Sequence, residues 1–99
     1  MVKGSASDET MRNIFRSGRY RKDERRQASR RKDIQQLIET VQFLVDYGEL
    51  PPSFHPHPLR GKWNGLFECH IEPDWLLLYR VSDTEVRLYR TGTHADLFE

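Results

Sequence analysis

Residues 63–90 read WNGLFECHIEPDWLLLYRVSDTEVRLYR, and this stretch decides the fold. It holds three strand-like runs, at 63–71, 75–81 and 85–90. The connections between the runs have the length of hairpin loops. The run 75–81 is almost wholly apolar, as expected of a central strand covered on both faces. The stretch therefore predicts a three-stranded antiparallel meander.

A strand and two helices are predicted before the meander. Residues 11–16 hold a short candidate strand around Ile14 and Phe15. Residues 20–31 are rich in helix formers but polar nearly all round, which is typical of an exposed or partner-stabilised helix. Residues 33–47 predict an amphipathic helix with these apolar positions at helical spacing: Ile34, Leu37, Ile38, Val41, Leu44 and Val45. The result is an α+β fold, in which a sheet of about four strands packs on two helices.

The second helix has clear end signals. Asp33 is suited to the N-cap, and Gly48 to the position just after the helix. Residues 49–58 contain four prolines and predict an ordered or extended loop.

The bulk composition indicates a small protein of the reducing cytosol. The chain has 99 residues, enough for one domain with a modest core. No apolar run approaches the ~18 residues of a membrane span, and no secretory signal is evident. The single cysteine, Cys69, cannot form an internal disulfide, and strand alternation places it toward the core. Residues 1–10 are predicted to be a disordered leader before a domain at 11–99.

Charge is distributed unevenly along the chain. The net charge is +1, yet residues 12–32 carry +8 and the remainder −7. A basic block of this density can contact nucleic-acid phosphates, although a solvated helix face is the alternative. We call the following candidate binding residues the basic block: Arg19, Arg21, Lys22, Arg25, Arg26, Arg30, Arg31 and Lys32.

Four titratable side chains are expected to meet at one end of the sheet. His70 lies late in a strand and Asp74 just after the next turn, so the hairpin brings them close. His94 follows the strand that pairs with 75–81, and His57 lies on the loop before the meander. Imidazole can give or take a proton near neutral pH, so these positions predict acid–base catalysis. Ordinary surface histidines are the alternative.

A metal site is a weaker alternative for the same residues. His55 and His57 with His70, His94 and Asp74 could supply ligands. Their spacing fits no standard zinc signature, and neither a metal nor another cofactor is predicted.

Arg60 and Arg90 are candidates for holding a phosphate, because guanidinium groups suit phosphate geometry. Strict alternation places Arg90 with Val86 and Leu88. Arg90 either emerges at the end of its strand or is redirected by a bulge near Gly92, and the pattern leaves both open.

Three blocks of residues resemble the YafQ branch of the RelE-like bacterial toxins. They are HPLRGKWNG at 57–65, HIEPDWLLLY at 70–79 and RTGTHADLF at 90–98. The resemblance covers the chain from about residue 13 to its end. It implies that His57, His70, Asp74, His94 and Phe98 match functional positions of that family. Trp75 and Arg90 match motif positions of less defined role.

The resemblance also implies a fold and an activity. It implies a compact RelE-like fold and a ribosome-dependent mRNA endonuclease that cuts in the ribosomal A site and inhibits translation. It implies metal-free cleavage, in which the RNA 2′-hydroxyl attacks the adjacent phosphate. The implied partners are a cognate antitoxin protein, the ribosome and mRNA, with operator DNA contacted only through the antitoxin complex and no membrane.

We hypothesise roles for the site on this basis. Asp74 or His70 takes the 2′-hydroxyl proton, and His94 protonates the leaving 5′-oxygen. His57 orients the substrate or shares the proton transfer. The substrate-binding residues are predicted to be Arg60, Trp75, Arg90 and Phe98, of which Phe98 positions a base.

Two other functions remain open at this point. One is a non-catalytic RelE-like module that binds RNA or acts as an antitoxin-bound co-repressor, and the other is a metal-dependent hydrolase. The low net charge is unusual for a ribosome binder and favours the basic block as the element that faces ribosomal RNA.

Overall fold

The computed structural model of the protein describes residues 12–98. Their elements are β1 (Asn13–Arg16), α1 (Gly18–Ser29), α2 (Ile34–Tyr47), a 3-10 turn (Pro52–Phe54), β2 (His57–Pro58), a second 3-10 turn (Gly61–Trp63), β3 (Phe67–Glu72), β4 (Trp75–Val81), β5 (Glu85–Gly92) and α3 (His94–Phe98). The leader predicted at 1–10 lies outside the described residues. Across residues 12–98, no helix has the length and apolar character needed to span a membrane.

Strand β4 lies at the centre of one mixed sheet with the order β1-β5-β4-β3-β2. β3, β4 and β5 are antiparallel neighbours, which confirms the predicted meander. β1 lies parallel to β5 at one edge. The predicted α+β class is confirmed, and the sheet has five strands rather than about four.

The additional strand is a two-residue edge segment in the region predicted to be a loop. His57 pairs with Glu68, and Pro58 pairs with Phe67. Proline is tolerated on an edge strand, where an N–H facing outward is not needed for the sheet. Two residues are too few to show a period, so the sequence pattern did not reveal this strand. The pairing places His57 directly beside β3.

Helix α1 buries part of its polar surface against the sheet. The side chain of Ser17 caps its start by accepting the backbone N–H of Tyr20 at 2.9 Å. Tyr20, Asp23 and Gln27 are buried, and the helix packs mainly against β5. It ends at Ser29, two residues before the predicted end.

Helix α2 has the predicted ends and most of the predicted buried face. Asp33 accepts the backbone N–H of Gln35 at 3.1 Å, and Gly48 adopts a left-handed φ of 77° after the last turn. A Cβ at Gly48 would lie 2.7 Å from the Arg12 guanidinium, so a larger residue there would displace that side chain as well as strain the backbone. Ile38 departs from the prediction, because it is 52% exposed.

The core lies on both faces of β4, as its apolar sequence predicted. On one face, Trp75, Leu77 and Tyr79 pack with helices α1 and α2. On the other face, Leu76 and Leu78 pack with residues of α3 and of the segment before β3: Leu97, Leu59, Trp63 and Leu66.

Alternation along β3 separates Cys69 from His70, as predicted. Cys69 pairs with Leu77 and is buried in the core on the helix side. His70 pairs with Leu76, which lies on the opposite face of the sheet. Burial raises the pKa of the Cys69 thiol to about 12, so the sulfur is a protonated core atom at neutral pH.

Candidate active site

The three histidine side chains singled out by the sequence lie close together, one each from β2, β3 and the start of α3. Ring centroids are 6.4 Å apart for His57 and His70, and 6.0 Å apart for His70 and His94. His55 adds a fourth ring, 5.8 Å from His70. We refer to these four side chains as the histidine row. The predicted convergence of imidazoles is therefore present in the fold.

Asp74 belongs to the row through His94 rather than through His70. Oδ1 of Asp74 accepts the ring Nδ1–H of His94 at 2.6 Å and the backbone N–H of the same residue at 2.9 Å. The backbone N–H, followed by the ring, lowers the pKa of Asp74. A carboxylate on Nδ1 fixes the tautomer and leaves Nε2 of His94 to exchange a proton with a ligand.

His70 is oriented by the β3–β4 turn. Its Nδ1 lies 3.3 Å from the backbone carbonyl of Pro73, which can only accept a hydrogen bond. Nδ1 must therefore carry the hydrogen in this contact. In the neutral ring, Nε2 then holds the lone pair and can act as a base.

His57 is held between two acceptors. Its Nδ1 lies 2.9 Å from the backbone carbonyl of His55, and its Nε2 lies 2.8 Å from Oε1 of Glu68. Satisfying both contacts takes one proton more than a neutral imidazole and an ionised carboxylate hold together. A doubly protonated His57 ring, or Glu68 in its acid form, would satisfy both contacts.

Glu68 is a functional candidate that the sequence analysis did not single out. It pairs with Leu78 in the sheet, and its side chain is only 8% exposed. Buried carboxylates are uncommon unless they are paired. Strand alternation could have identified Glu68 from the sequence, because Glu68 and His70 are two residues apart on one strand and share a face.

Phe98 extends the histidine row at its other end. Its ring is 6.4 Å from His94 and 6.2 Å from Trp63, and it is 41% exposed. Trp63 is a second aromatic candidate that the sequence analysis did not single out. Arg60 is exposed and precedes the second 3-10 turn, close to Trp63 in the chain.

Trp75 is a core residue, which corrects the expectation that it contacts a substrate. Its ring is fully buried, and its Nε1–H donates to Oγ1 of Thr91 at 2.9 Å. The hydroxyl of Thr91 donates in turn to the backbone carbonyl of Leu76 at 2.7 Å. The apolar strand β4 draws this indole into the helix-side core.

Arg90 is also placed differently from the expectation. Its Nε and Nη2 donate to Asp23 of α1 at 2.6 and 3.2 Å, and both side chains are nearly buried. The β-bulge lies at Tyr89, between the pairs Leu78–Arg90 and Tyr79–Leu88, and not near Gly92. The guanidinium is therefore committed to a buried carboxylate instead of facing a substrate phosphate.

The basic block divides into two groups. Arg26 and Arg30 form ion pairs with Asp96 at 3.4 and 2.6 Å, and Lys32 pairs with Glu72 at 3.0 Å. The remaining members are exposed: Arg19, Arg21, Lys22, Arg25 and Arg31. The second group is the part of the block that can meet a partner without breaking an ion pair seen here.

The metal alternative finds little support in this geometry. Between residues 12 and 98, no three side chains of His, Cys, Asp or Glu are arranged to hold an ion. The hydrogen bonds described above use Nδ1 of His57, His70 and His94, which orients the opposite nitrogen of each ring. The arrangement is suited to proton transfer.

Comparisons with known proteins agree with this fold. A profile of the family described as bacterial toxin of type II toxin-antitoxin system, YafQ, matches residues 12–99. The mRNA interferase toxin YafQ of Escherichia coli strain K12 is 42% identical over 88 residues, which cover 88% of this chain and 96% of that protein.

Solved structures give the same result. A crystal structure of a YafQ mutant from E. coli has a TM-score of 0.84 at 40% identity, covering 90% of this chain and 100% of that one. The crystal structure of the E. coli DinJ–YafQ toxin–antitoxin complex matches with a TM-score of 0.82 at 41% identity, covering 90% and 99%. The resemblance found in the sequence is confirmed, and the chain belongs to the YafQ family of bacterial toxins of type II toxin–antitoxin systems.

Proposed function

We propose that this protein is a ribosome-dependent mRNA endonuclease that cleaves translated mRNA in the A site and thereby inhibits translation. The observation that carries the proposal is the hydrogen-bonded Asp74–His94 pair, with the ring of His70 6.0 Å from that of His94. Two imidazoles at this separation can lie on either side of one phosphodiester. The name of the E. coli relative, mRNA interferase toxin, supports the same class of substrate.

The reaction is a transfer within the RNA, with one proton removed and one supplied. Nε2 of neutral His70 takes the proton of the 2′-hydroxyl, and the 2′-oxygen forms a bond to the adjacent phosphorus. The bond from phosphorus to the 5′-oxygen breaks, and protonated His94 donates to that leaving oxygen from Nε2. The products are a 2′,3′-cyclic phosphate and a free 5′-hydroxyl.

Asp74 is assigned to orientation rather than to proton removal. Its lowered pKa makes it a weak base, and Oδ1 already accepts two hydrogen bonds from His94. The carboxylate instead holds the ring in the orientation that presents Nε2 to a ligand. Of the two bases considered from the sequence, His70 is therefore the one proposed.

Charge on the phosphoryl group has to be balanced by other residues than Arg90. We propose that a phosphoryl oxygen of the substrate replaces Glu68 as the acceptor at Nε2 of His57, while Nδ1 stays bonded to the carbonyl of His55. Arg60 is exposed and is proposed as a second phosphate contact. Phe98 with Trp63 offers an aromatic surface on which a base can stack.

Partners follow from the same proposal. The five exposed members of the basic block are proposed to contact ribosomal RNA. A cognate antitoxin is proposed by analogy with the E. coli DinJ–YafQ complex, with operator DNA contacted only through that complex. Translating ribosomes place the activity in the cytoplasm.

Inducible expression with primer extension on a reporter mRNA tests the proposal. We expect new 5′ ends within the reading frame that depend on the start codon of the reporter. The matched variant is His94→Gln, which should lower the cleavage rate by ~10²–10⁴-fold. Toxicity without cleavage would instead favour the non-catalytic binding module. Cleavage that is lost when the purified protein is treated with EDTA and dialysed before it meets Mg²⁺-stabilised ribosomes would favour the metal-dependent hydrolase.

A further inference from the structure

Helix α3 needs tertiary contacts to hold its shape. It spans only His94–Phe98, and isolated helices shorter than ~12–15 residues are marginal in water. It nevertheless carries His94 at its first position and Phe98 at its last. The contacts that order α3 therefore control the geometry of the proposed site.

The side chain of Asp96, the third residue of α3, caps the start of this helix. One of its carboxylate oxygens, Oδ2, accepts the backbone N–H of Thr93 at 2.9 Å, and its own backbone N–H donates to Oγ1 of Thr93 at 3.0 Å. This reciprocal pair is a capping box. Gly92 leaves room for it, because a Cβ at that position would lie 2.8 Å from Oδ2 of Asp96.

The same carboxylate binds helix α1. Arg30 donates to Oδ2 from Nη1 at 2.6 Å and to Oδ1 from Nη2 at 3.1 Å. Arg26 and Gln27 lie 3.4 and 3.5 Å from the carboxylate. Bidentate, charge-assisted bonds of this kind are stronger than neutral ones, and the Asp96 side chain is only 11% exposed.

We infer that Asp96 and Arg30 are positioning residues, which hold the α3 turn so that His94 and Phe98 stay in register with His70. Asp96 acts through the turn, and Arg30 acts through Asp96. The inference assigns a structural use to part of the basic block, whose pattern in the sequence indicated nucleic-acid contact or a solvated helix face. Its effect on cleavage rests on the proposed function, whereas its effect on the order of α3 does not.

Two readouts separate positioning from general stability. Single-turnover cleavage on programmed ribosomes gives the rate at saturation and the half-saturating ribosome concentration. Amide hydrogen exchange and the ring signals of His94 in the free protein report the order of α3. The variants are Asp96→Asn, which can still accept from Thr93, Arg30→Gln, and the double variant. Arg87→Gln is the matched control, because it breaks a similar 2.6 Å ion pair, with Glu85, at the other end of β5.

We expect Asp96→Asn and Arg30→Gln each to lower the saturating rate by about 10- to 100-fold, as misplacement of a reacting group does. The double variant should be no slower than the slower single one. Asp96→Glu should recover much of the rate, whereas Arg30→Lys, which cannot form the bidentate contact, should recover less. Exchange at the amides of α3 should accelerate, while exchange in β4 stays as in the Arg87→Gln control.

Other results would overturn the inference. Rates that multiply in the double variant would show that Arg30 acts independently of Asp96, for example on the ribosome. Wild-type exchange and unchanged His94 ring signals in Asp96→Asn would show that the contact does not order α3. If the unmodified protein cleaves no mRNA, the proposed function fails, and the exchange measurements still decide the positioning role.

Discussion

Asp74 and His94 hold each other across 20 residues of sequence through one oxygen atom, which accepts both the ring N–H and the backbone N–H of the histidine. The two contacts do different work. The ring contact sets which nitrogen of His94 faces a ligand, and the backbone contact ties the β3–β4 turn to the start of α3. The effect of each contact on the pKa of Asp74 can be measured separately.

The first prediction concerns the ionisation of Asp74. Its pKa is lowered chiefly by the backbone N–H of residue 94, which an alanine retains, and next by the ring, which an alanine removes. In His94→Ala, NMR titration of the Asp74 carboxyl should give a pKa between the wild-type value and the ordinary one. A complete return to the ordinary pKa would mean that the turn itself comes apart when the ring is lost.

The second prediction concerns Glu68. Glu68→Ala removes the acceptor at Nε2 of His57, so the ring is held only by the carbonyl of His55. We expect the cleavage rate at saturating ribosomes to fall by roughly 10- to 100-fold, because a donor to the phosphoryl oxygen is misplaced. Glu68→Gln keeps an acceptor and should lose less. Equal and full activity of both variants would remove the His57–Glu68 pair from the mechanism.

The third prediction concerns Arg90 and Asp23. Arg90→Met leaves the Asp23 charge buried without its partner, and such a change costs about 3–5 kcal/mol of unfolding free energy. Asp23→Asn combined with Arg90→Met should be more stable than Arg90→Met alone, as urea unfolding can measure. If Arg90→Met instead kept its stability and lost only cleavage, the guanidinium would return to a substrate-binding role.

The sequence predicted those parts of the fold that repeat locally. The period of the apolar residues located α2, and alternation separated Cys69 from His70 across β3. The gathering of His70 and His94 also followed, because a meander brings the ends of its strands together. His57 was expected beside them, but the strand β2 that holds it there left no pattern in the sequence. Features that depend on a single long-range contact could not be predicted from the sequence. The pairing of Arg90 with Asp23, 67 residues away, has no local signature, and neither has the five-residue helix α3.

The fourth prediction concerns acid stability. Hydrogen bonds from Arg30 and Thr93 hold the pKa of Asp96 well below its usual range. A carboxyl with a depressed folded pKa stabilises the fold fully above its unfolded pKa of ~3.9, and this contribution is lost as pH falls through the folded value. Wild-type Tm should therefore fall below about pH 4 more steeply than the Tm of Asp96→Asn. Asp46→Asn, an exposed helical position, is the control and should keep the wild-type slope. Parallel slopes for wild type and Asp96→Asn would contradict the assigned ion pair.

The last prediction concerns the exposed members of the basic block. Arg21 and Arg25 lie one helical turn apart on α1, so both point to the same side of the helix. Reversing both to Glu should weaken ribosome association and reduce its salt dependence, since fewer counterions are released on binding. Reversal of Arg16 and Arg80, two exposed arginines on β1 and β4, changes the net charge equally and serves as the control. The assignment to α1 requires a larger loss of binding and a flatter salt slope for the α1 pair than for the control. Equal losses would instead mean that net charge alone governs ribosome association. The exposed face of α1 would then be solvated, and the basic block would contact the site only through the Arg30–Asp96 and Arg26–Asp96 ion pairs.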